Sequence, residues 1–215
     1  MFDQILSVLF PERCRGCDKN GTALCLDCSK IIPAARPIID PFQAFALWDY
    51  QHPIVRQAIW ELKYHRKSPV AKILLMAGAT AIAEHINELL RSSNTRNVIL
   101  VPIPQHYSKT FSRGFNQSEL IAKWLLPAMP AAVIQKALQK TRATDAQART
   151  HTRRERQDNL SHSMAVIDRL DENTLYIVVD DVITTGSTVT EAGRALRAAG
   201  AKHIAAIALA HGYAR

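Results

Sequence analysis

The chain has 215 residues, 47% of them hydrophobic and 21% charged, with 27 Lys plus Arg against 19 Asp plus Glu and a formal net charge of +8. That length accommodates one domain of ordinary size with a small appendage, and the composition supplies a buried core and excludes global disorder. No apolar run approaches the ~18 residues of a membrane span. The first ten residues, MFDQILSVLF, contain an acid and no basic residue. Neither membrane insertion nor a secretory signal is therefore expected, and the expected compartment is the cytoplasm. The charge is uneven: residues 1–59 carry 6 basic and 6 acidic side chains, residues 60–170 carry 17 and 8, and residues 171–215 carry 4 and 5. A basic middle third points to an anionic partner such as a polyphosphate metabolite or a nucleic acid, or to a soluble basic surface and nothing more.

All four cysteines lie near the N-terminus, as Cys14-Arg-Gly-Cys17 and Cys25-Leu-Asp-Cys28. Each C-x-x-C pair offers two thiolates to one ion from a tight turn, and two such knuckles complete a tetrahedral set of four sulfurs, the arrangement of structural Zn2+. Two disulfides and unrelated thiols are the other readings, the first disfavoured in a reducing compartment. Four protein ligands leave no open coordination position, so a metal here is structural, and it supplies folding energy that about thirty residues cannot obtain from a core of their own.

Proline-rich Ile31 to Pro41 reads as an extended linker. Beyond it, Phe42 to Tyr50 has the pattern of a strand, Pro53 to Tyr64 of a helix, and Val70 to Leu90 of a second, longer helix. Asn97 to Val101 is a short apolar run, Asn116 to Leu126 a helix, Thr174 to Val179 a buried strand, Ser187 to Ala199 a helix ending at Gly200, and His203 to Ala210 a further strand. Continuous apolar strands separated by helices predict an α/β fold, a parallel sheet with helices on both faces.

The most informative segment is Tyr176-Ile-Val-Val-Asp180-Asp181-Val-Ile-Thr184-Thr185-Gly186-Ser187-Thr188. It reads as a buried strand, two acids at its carboxyl end, and a turn of hydroxyls and glycine that opens a helix. Ligands of open α/β sheets bind at that edge. Backbone N–H groups from Thr184 to Thr188 at a helix N-terminus suit a phosphate monoester. The carboxylates of Asp180 and Asp181 would repel a phosphate and suit the vicinal hydroxyls of a ribose. Together they describe a ribose-5-phosphate site; the same residue types also serve as a plain helix cap.

These thirteen residues match at every position the phosphoribosyl pyrophosphate (PRPP) motif of type I phosphoribosyltransferases. With Val101-Pro-Ile-Pro104, Arg113-Gly-Phe-Asn-Gln117, Leu62-Lys-Tyr64 and the four-cysteine module, the chain resembles the ComF family, phosphoribosyltransferase-like proteins linked to bacterial competence. The resemblance implies a zinc-binding module and linker over 1–41 and a type I phosphoribosyltransferase-like domain over 42–215. It implies PRPP as ligand with Mg2+ on its pyrophosphate and ribose oxygens, Asp180 and Asp181 on the ribose, and Thr184, Thr185, Gly186, Ser187 and Thr188 on the 5-phosphate. The loop after Val101 then faces the pyrophosphate, with Lys109 and Arg113 as its candidate cations and Lys63 and Arg66 as weaker ones; each is otherwise a solvated surface charge.

Arg142-Ala-Thr144 with Gln147, followed by Arg156-x-x-Asn159, is similar to that family's mobile loop, and the overlapping stretch Lys140–Asp158 carries the candidate cations Arg142, Arg149, Arg153, Arg154 and Arg156. It reads as a lid over PRPP, as a surface for the backbone of single-stranded DNA, or as an exposed charged helix. Having no aromatic residue, it offers no platform on which bases stack. Two functions compete. One is a PRPP-binding factor handling single-stranded DNA during DNA uptake, with a helicase-like competence protein as partner. The other is an active phosphoribosyltransferase that passes ribose 5-phosphate to a nitrogen acceptor and releases pyrophosphate. No residues that would read an acceptor stand out, and no catalytic residue is assigned.

Overall fold

A computed structural model of the chain describes residues 12–38, 42–64, 68–105, 114–141 and 163–213. Seven strands are present among them: β1 (Ala44–Asp49), β2 (Asn97–Pro102), β3 (Ala132–Ile134), β4 (Leu138–Lys140), β5 (Met164–Val166), β6 (Thr174–Ile183) and β7 (His203–His211). Five of them form one sheet in the order β1-β7-β6-β2-β3, parallel at every pairing; β4 and β5 form a separate antiparallel ribbon. The middles of the central strands, Leu175–Val179 and Ile204–Ala210, are unbroken apolar runs because both faces are covered. Along β6, Leu175, Ile177 and Val179 belong to one core and Tyr176 and Val178 to the other, the two-residue period of a strand.

The helices are α1 (Leu26–Lys30), α2 (Pro53–Tyr64), α3 (Pro69–Ala77), α4 (Ala79–Ser93), α5 (Gln117–Leu125) and α6 (Ser187–Ala198). Apolar residues of α2 to α5 fill the first core, which also takes in Cys14, Cys28 and Leu24 of the cysteine segment. The second core is closed by α6, through Val189, Ala192 and Leu196, together with the ribbon residues Leu138 and Met164.

Where the sequence predicts one helix from Val70 to Leu90, the structure has two, bent by 52° at Gly78. A side chain there would place its Cβ 2.3–2.9 Å from the carbons of Leu47, so the chain can pass this close to β1 only as glycine. Trp48 fixes the same elbow by donating its indole N–H to the carbonyl of Leu74 (3.0 Å). No single helix among the described residues is long and apolar enough to cross a membrane.

The proline-rich stretch is extended, as its composition predicts, and it lies along the edge of the sheet. Ala35 donates to the carbonyl of Leu47 (2.9 Å) and Asp49 to that of Pro33 (3.0 Å), around an antiparallel bridge between Ala34 and Trp48. Prolines are tolerated on such an edge, and the segment covers groups that β1 would otherwise leave open to pairing.

Connections on the two sides of the sheet run in opposite directions. From β2 the chain passes through α5 to β3 on one side, and from β6 through α6 to β7 on the other. The carboxyl ends of β2 and β6 are neighbours, with Pro102 beside Val179. The crevice outside such a reversal is where ligands of open α/β sheets bind.

Candidate functional site

At this crevice β6 ends in Asp180-Asp181-Val182-Ile183, still in strand conformation. The Asp180 carboxylate accepts hydrogen bonds from the backbone N–H of Asp181 (2.8 Å) and the hydroxyl of Ser118 (3.3 Å). The Nζ of Lys63 stands 3.4 Å from Asp181 Oδ2. Burial, and then the neighbouring Asp181 charge, push Asp180 up to about 7, against the opposing pull of the Asp181 N–H, Lys63 and Ser118. Two carboxylates held this close carry a like-charge cost that a pair of hydroxyl donors or a cation relieves. Their oxygens are also the donor type that Mg2+ takes, so the pair fits both a ribose diol and that ion.

Three elements converge on the acids. Asn116 caps α5 by accepting from the N–H of Ser118 (2.9 Å), and it donates to the carbonyl of Ile103 (2.9 Å) just beyond β2. The first turn of α5 is thereby aimed at Asp180. Gln117, only 1% exposed, donates to the backbone carbonyl of Lys63 (3.3 Å) and so ties α5 to the end of α2, which presents Lys63 to Asp181.

The turn after β6 places Thr184 in solvent and leaves Thr185, Gly186, Ser187 and Thr188 partly buried. Gly186 opens α6 with φ 74° and ψ −2°, a left-handed conformation that favours glycine, and a Cβ there would meet nothing within 4 Å. Backbone shape, then, and not space, is what requires glycine at this position. Thr185 and Ser187 share a hydroxyl hydrogen bond of 2.8 Å. With glycine at the cap and no acid in the first turn, the positive end of α6 is left for an external anion. The Thr185 hydroxyl also lies 3.5 Å from the N–H of Ser187, the long contact that the plain-cap reading expects.

A family profile described as the phosphoribosyl transferase domain matches residues 71–215. The DNA utilization protein YhgH of Salmonella typhimurium strain LT2 is 28% identical over 200 residues, covering 87% of this chain and 84% of that one. YhgH of Escherichia coli K12 is 30% identical over 161 residues, 71% and 65% of the two chains. Competence protein F of Haemophilus influenzae Rd is 30% identical over 107 residues, 49% and 46%. The chain belongs to the phosphoribosyl transferase domain family, as a ComF-type member. The ComF resemblance read from the motifs holds, as does the fold class.

This ComF-type chain brings its four cysteines together, with all four Sγ atoms within 4.8 Å of one another. Cys17 and Cys25 are 3.7 Å apart at sulfur, and the Cys14 sulfur accepts from the N–H groups of Cys25 (3.3 Å) and Gly16 (3.4 Å). Those backbone donors, the Cys25 N–H foremost, bring the Cys14 thiol down to about 6; the neighbouring sulfurs and burial push Cys28 up to about 12. A thiolate beside thiols that resist ionisation is the signature of a crowded sulfur cage, which a cation relieves. The knuckle is tight enough that a Cβ on Gly16 would lie 2.6 Å from Cys28 Sγ. Such a set is positioned to hold a metal ion, and Cys14 and Cys28 are themselves buried in the first core.

Lys109, Arg113, Arg142, Arg149, Arg153, Arg154, Arg156 and Arg66 lie outside the described residues. Three contributors near the site were missed in the sequence. Ser118 and Gln117 look like ordinary first-turn residues, and only the capping Asn116 signals that this turn has a fixed aim. Glu191 is the third. It lies one turn into α6, is 5% exposed, and accepts from Arg194 (2.8 and 2.9 Å) and from the backbone N–H of Met164 (3.3 Å) at the start of β5. A lone acid in an amphipathic helix carries no sequence mark of burial.

Proposed function

We propose that this protein binds PRPP at the β2–β6 crevice and acts in the handling of single-stranded DNA during DNA uptake. The observation that carries the ligand is the acid pair followed directly by an anion-ready helix start at the topological reversal. In this reading Asp180 and Asp181 accept from the ribose hydroxyls, and the N–H groups and hydroxyls of Thr184 to Thr188 hold the 5-phosphate. Lys109 and Arg113 take the pyrophosphate. Mg2+, when bound with PRPP, neutralises charge on the pyrophosphate oxygens. The DNA role is supported by the names of the relatives, DNA utilization protein and Competence protein F. It also draws support from the basic middle third. The reading includes a cytoplasmic location, a helicase-like partner, and a domain division near residue 41.

The metal in the cysteine cage is Zn2+ in this reading. Zinc–sulfur bonds of about 2.3 Å give a tetrahedron with edges of about 3.8 Å, and the Cys17–Cys25 separation of 3.7 Å is already close to that.

Thermal melts with PRPP and Mg2+ test the ligand. At a hundredfold excess over Kd, binding stabilises by about 2.7 kcal/mol, a rise of roughly 5–10 °C for a chain of this size. That rise should disappear in Asp180→Asn/Asp181→Asn, and no rise in the unaltered protein would overturn the assignment. Anisotropy of a short labelled oligonucleotide at two salt concentrations tests the DNA role, with a slope of about −0.7 per phosphate contact expected. Pyrophosphate release in the presence of nucleobases or ammonia would instead establish the transferase reading, which the family match supports.

A further inference from the structure

On the outward side of α2, Trp60 and Tyr64 stand one turn apart, 55% and 59% exposed. Their ring centroids are 5.4 Å apart and their planes are tilted by 45°. The opposite side of the helix is fixed in the first core by Ile54, Val55, Ala58, Ile59 and Leu62. The helix therefore holds the two rings outward on a rigid mount while five other side chains make its core contacts. Arg56 lies one turn before Trp60 and Lys63 three residues after it, on the same flank of the helix. Arg56 is exposed and has no ion pair among the described residues, while Lys63 reaches Asp181. The stripe thus runs from open solvent to the acid pair. The other flank of α2 is occupied by the cysteine module, through Glu61 with Arg15 (3.4 Å) and Ile54 beside Gly16.

Aromatic faces bordered by cations have a particular complement. Unpaired bases stack on Trp and Tyr rings whatever their sequence, and Arg and Lys follow the phosphates. A duplex hides its base faces in its own stack. The exposed rings and the bordering Arg56 complement the bases and phosphates of a single strand.

We infer that Arg56, Trp60, Lys63 and Tyr64 form a stacking track for single-stranded nucleic acid, running along α2 toward the acid pair. The inference rests on the DNA-handling reading above and assigns the strand to α2 in place of the Lys140–Asp158 segment, which has no aromatic residue.

The test uses the metal-loaded full chain and a labelled oligothymidine of about 20 nucleotides. Trp60→Ala and Tyr64→Ala should each weaken binding roughly 5- to 150-fold, the range that one lost base–aromatic stack supports, with the salt slope unchanged. Trp60→Phe should retain most of the affinity, and Arg56→Ala should reduce the slope by about 0.7. In protein carrying 5-fluorotryptophan at its three tryptophans, the 19F resonance absent from Trp60→Phe should shift when the oligonucleotide is added. If the unaltered protein binds the strand while both alanine variants bind equally well and that resonance stays put, the track is wrong and the DNA reading survives. Loss of binding only on neutralising Arg153, Arg154 and Arg156 would likewise overturn the track and leave the DNA reading standing. If the unaltered protein binds no strand at all, the DNA-handling reading and the track fall together.

Discussion

The carboxyl group of Asp180 is held at odds with its charge. Its folded value of about 7 lies above the ordinary 3.8 because burial and Asp181 oppose ionisation. A raised acid binds its proton more tightly in the folded chain than in the unfolded one. The stability it contributes is therefore full below about pH 4 and is lost as pH rises through about 7. Asp180→Asn removes the charge and keeps an oxygen for the Asp181 and Ser118 donors. The variant should melt above the unaltered protein at pH 8, by on the order of 1 kcal/mol, and the gap should narrow as pH falls and close below about pH 4. A variant less stable at pH 8 would show that the charged form is welcome in the ligand-free site. At Gly186, φ of 74° makes a side chain cost about 1 kcal/mol. Gly186→Ala should lower the melting temperature slightly and largely abolish the rise given by PRPP, because the turn can relax only by moving its N–H groups.

Among the elements, the strongly patterned ones were legible. β6 and β7 are apolar at nearly every position and α6 ends at Gly200, so their type followed from residue order alone. The elbow between α3 and α4 was not, because Gly78 sits in an Ala-rich helical run and its purpose is set by Leu47, thirty-one residues away in sequence. Gly78→Ala should destabilise by about 1–3 kcal/mol, since Leu47 must leave its packed position; a denaturant melt with unchanged slope would show it. The three-residue strands β3, β4 and β5 are too short to carry a period. At the site, Asp180 to Thr188 announced themselves by chemistry, whereas Ser118, Gln117 and Lys63 acquire their roles only when α5 and α2 meet at one point. The Trp60–Tyr64 pair was equally hidden, because a helical spacing of four does not say which side of the helix faces solvent.

For the molecule as a whole, the cysteine module is joined to the sheet by Arg15–Glu61, by Ile54 beside Gly16, and by the edge pairing of Pro33 to Ala35 with β1. Removing the metal should therefore lower the stability of more than the first thirty residues. A strong chelator, or Cys14→Ser, is expected to reduce the main melting temperature and to expose α2 to hydrogen exchange, while a change confined to the N-terminal amides would contradict that coupling. Cys14 and Cys28, buried among core residues, transmit the loss. The β4–β5 ribbon works in the opposite sense. Its two short strands bracket residues 142–162, and Glu191 clamps its return strand to α6, so the chain on either side of those positions is held at one place. Strain arising between those two ends is thereby taken up by the ribbon and α6, neither of which is a strand of the five-stranded sheet.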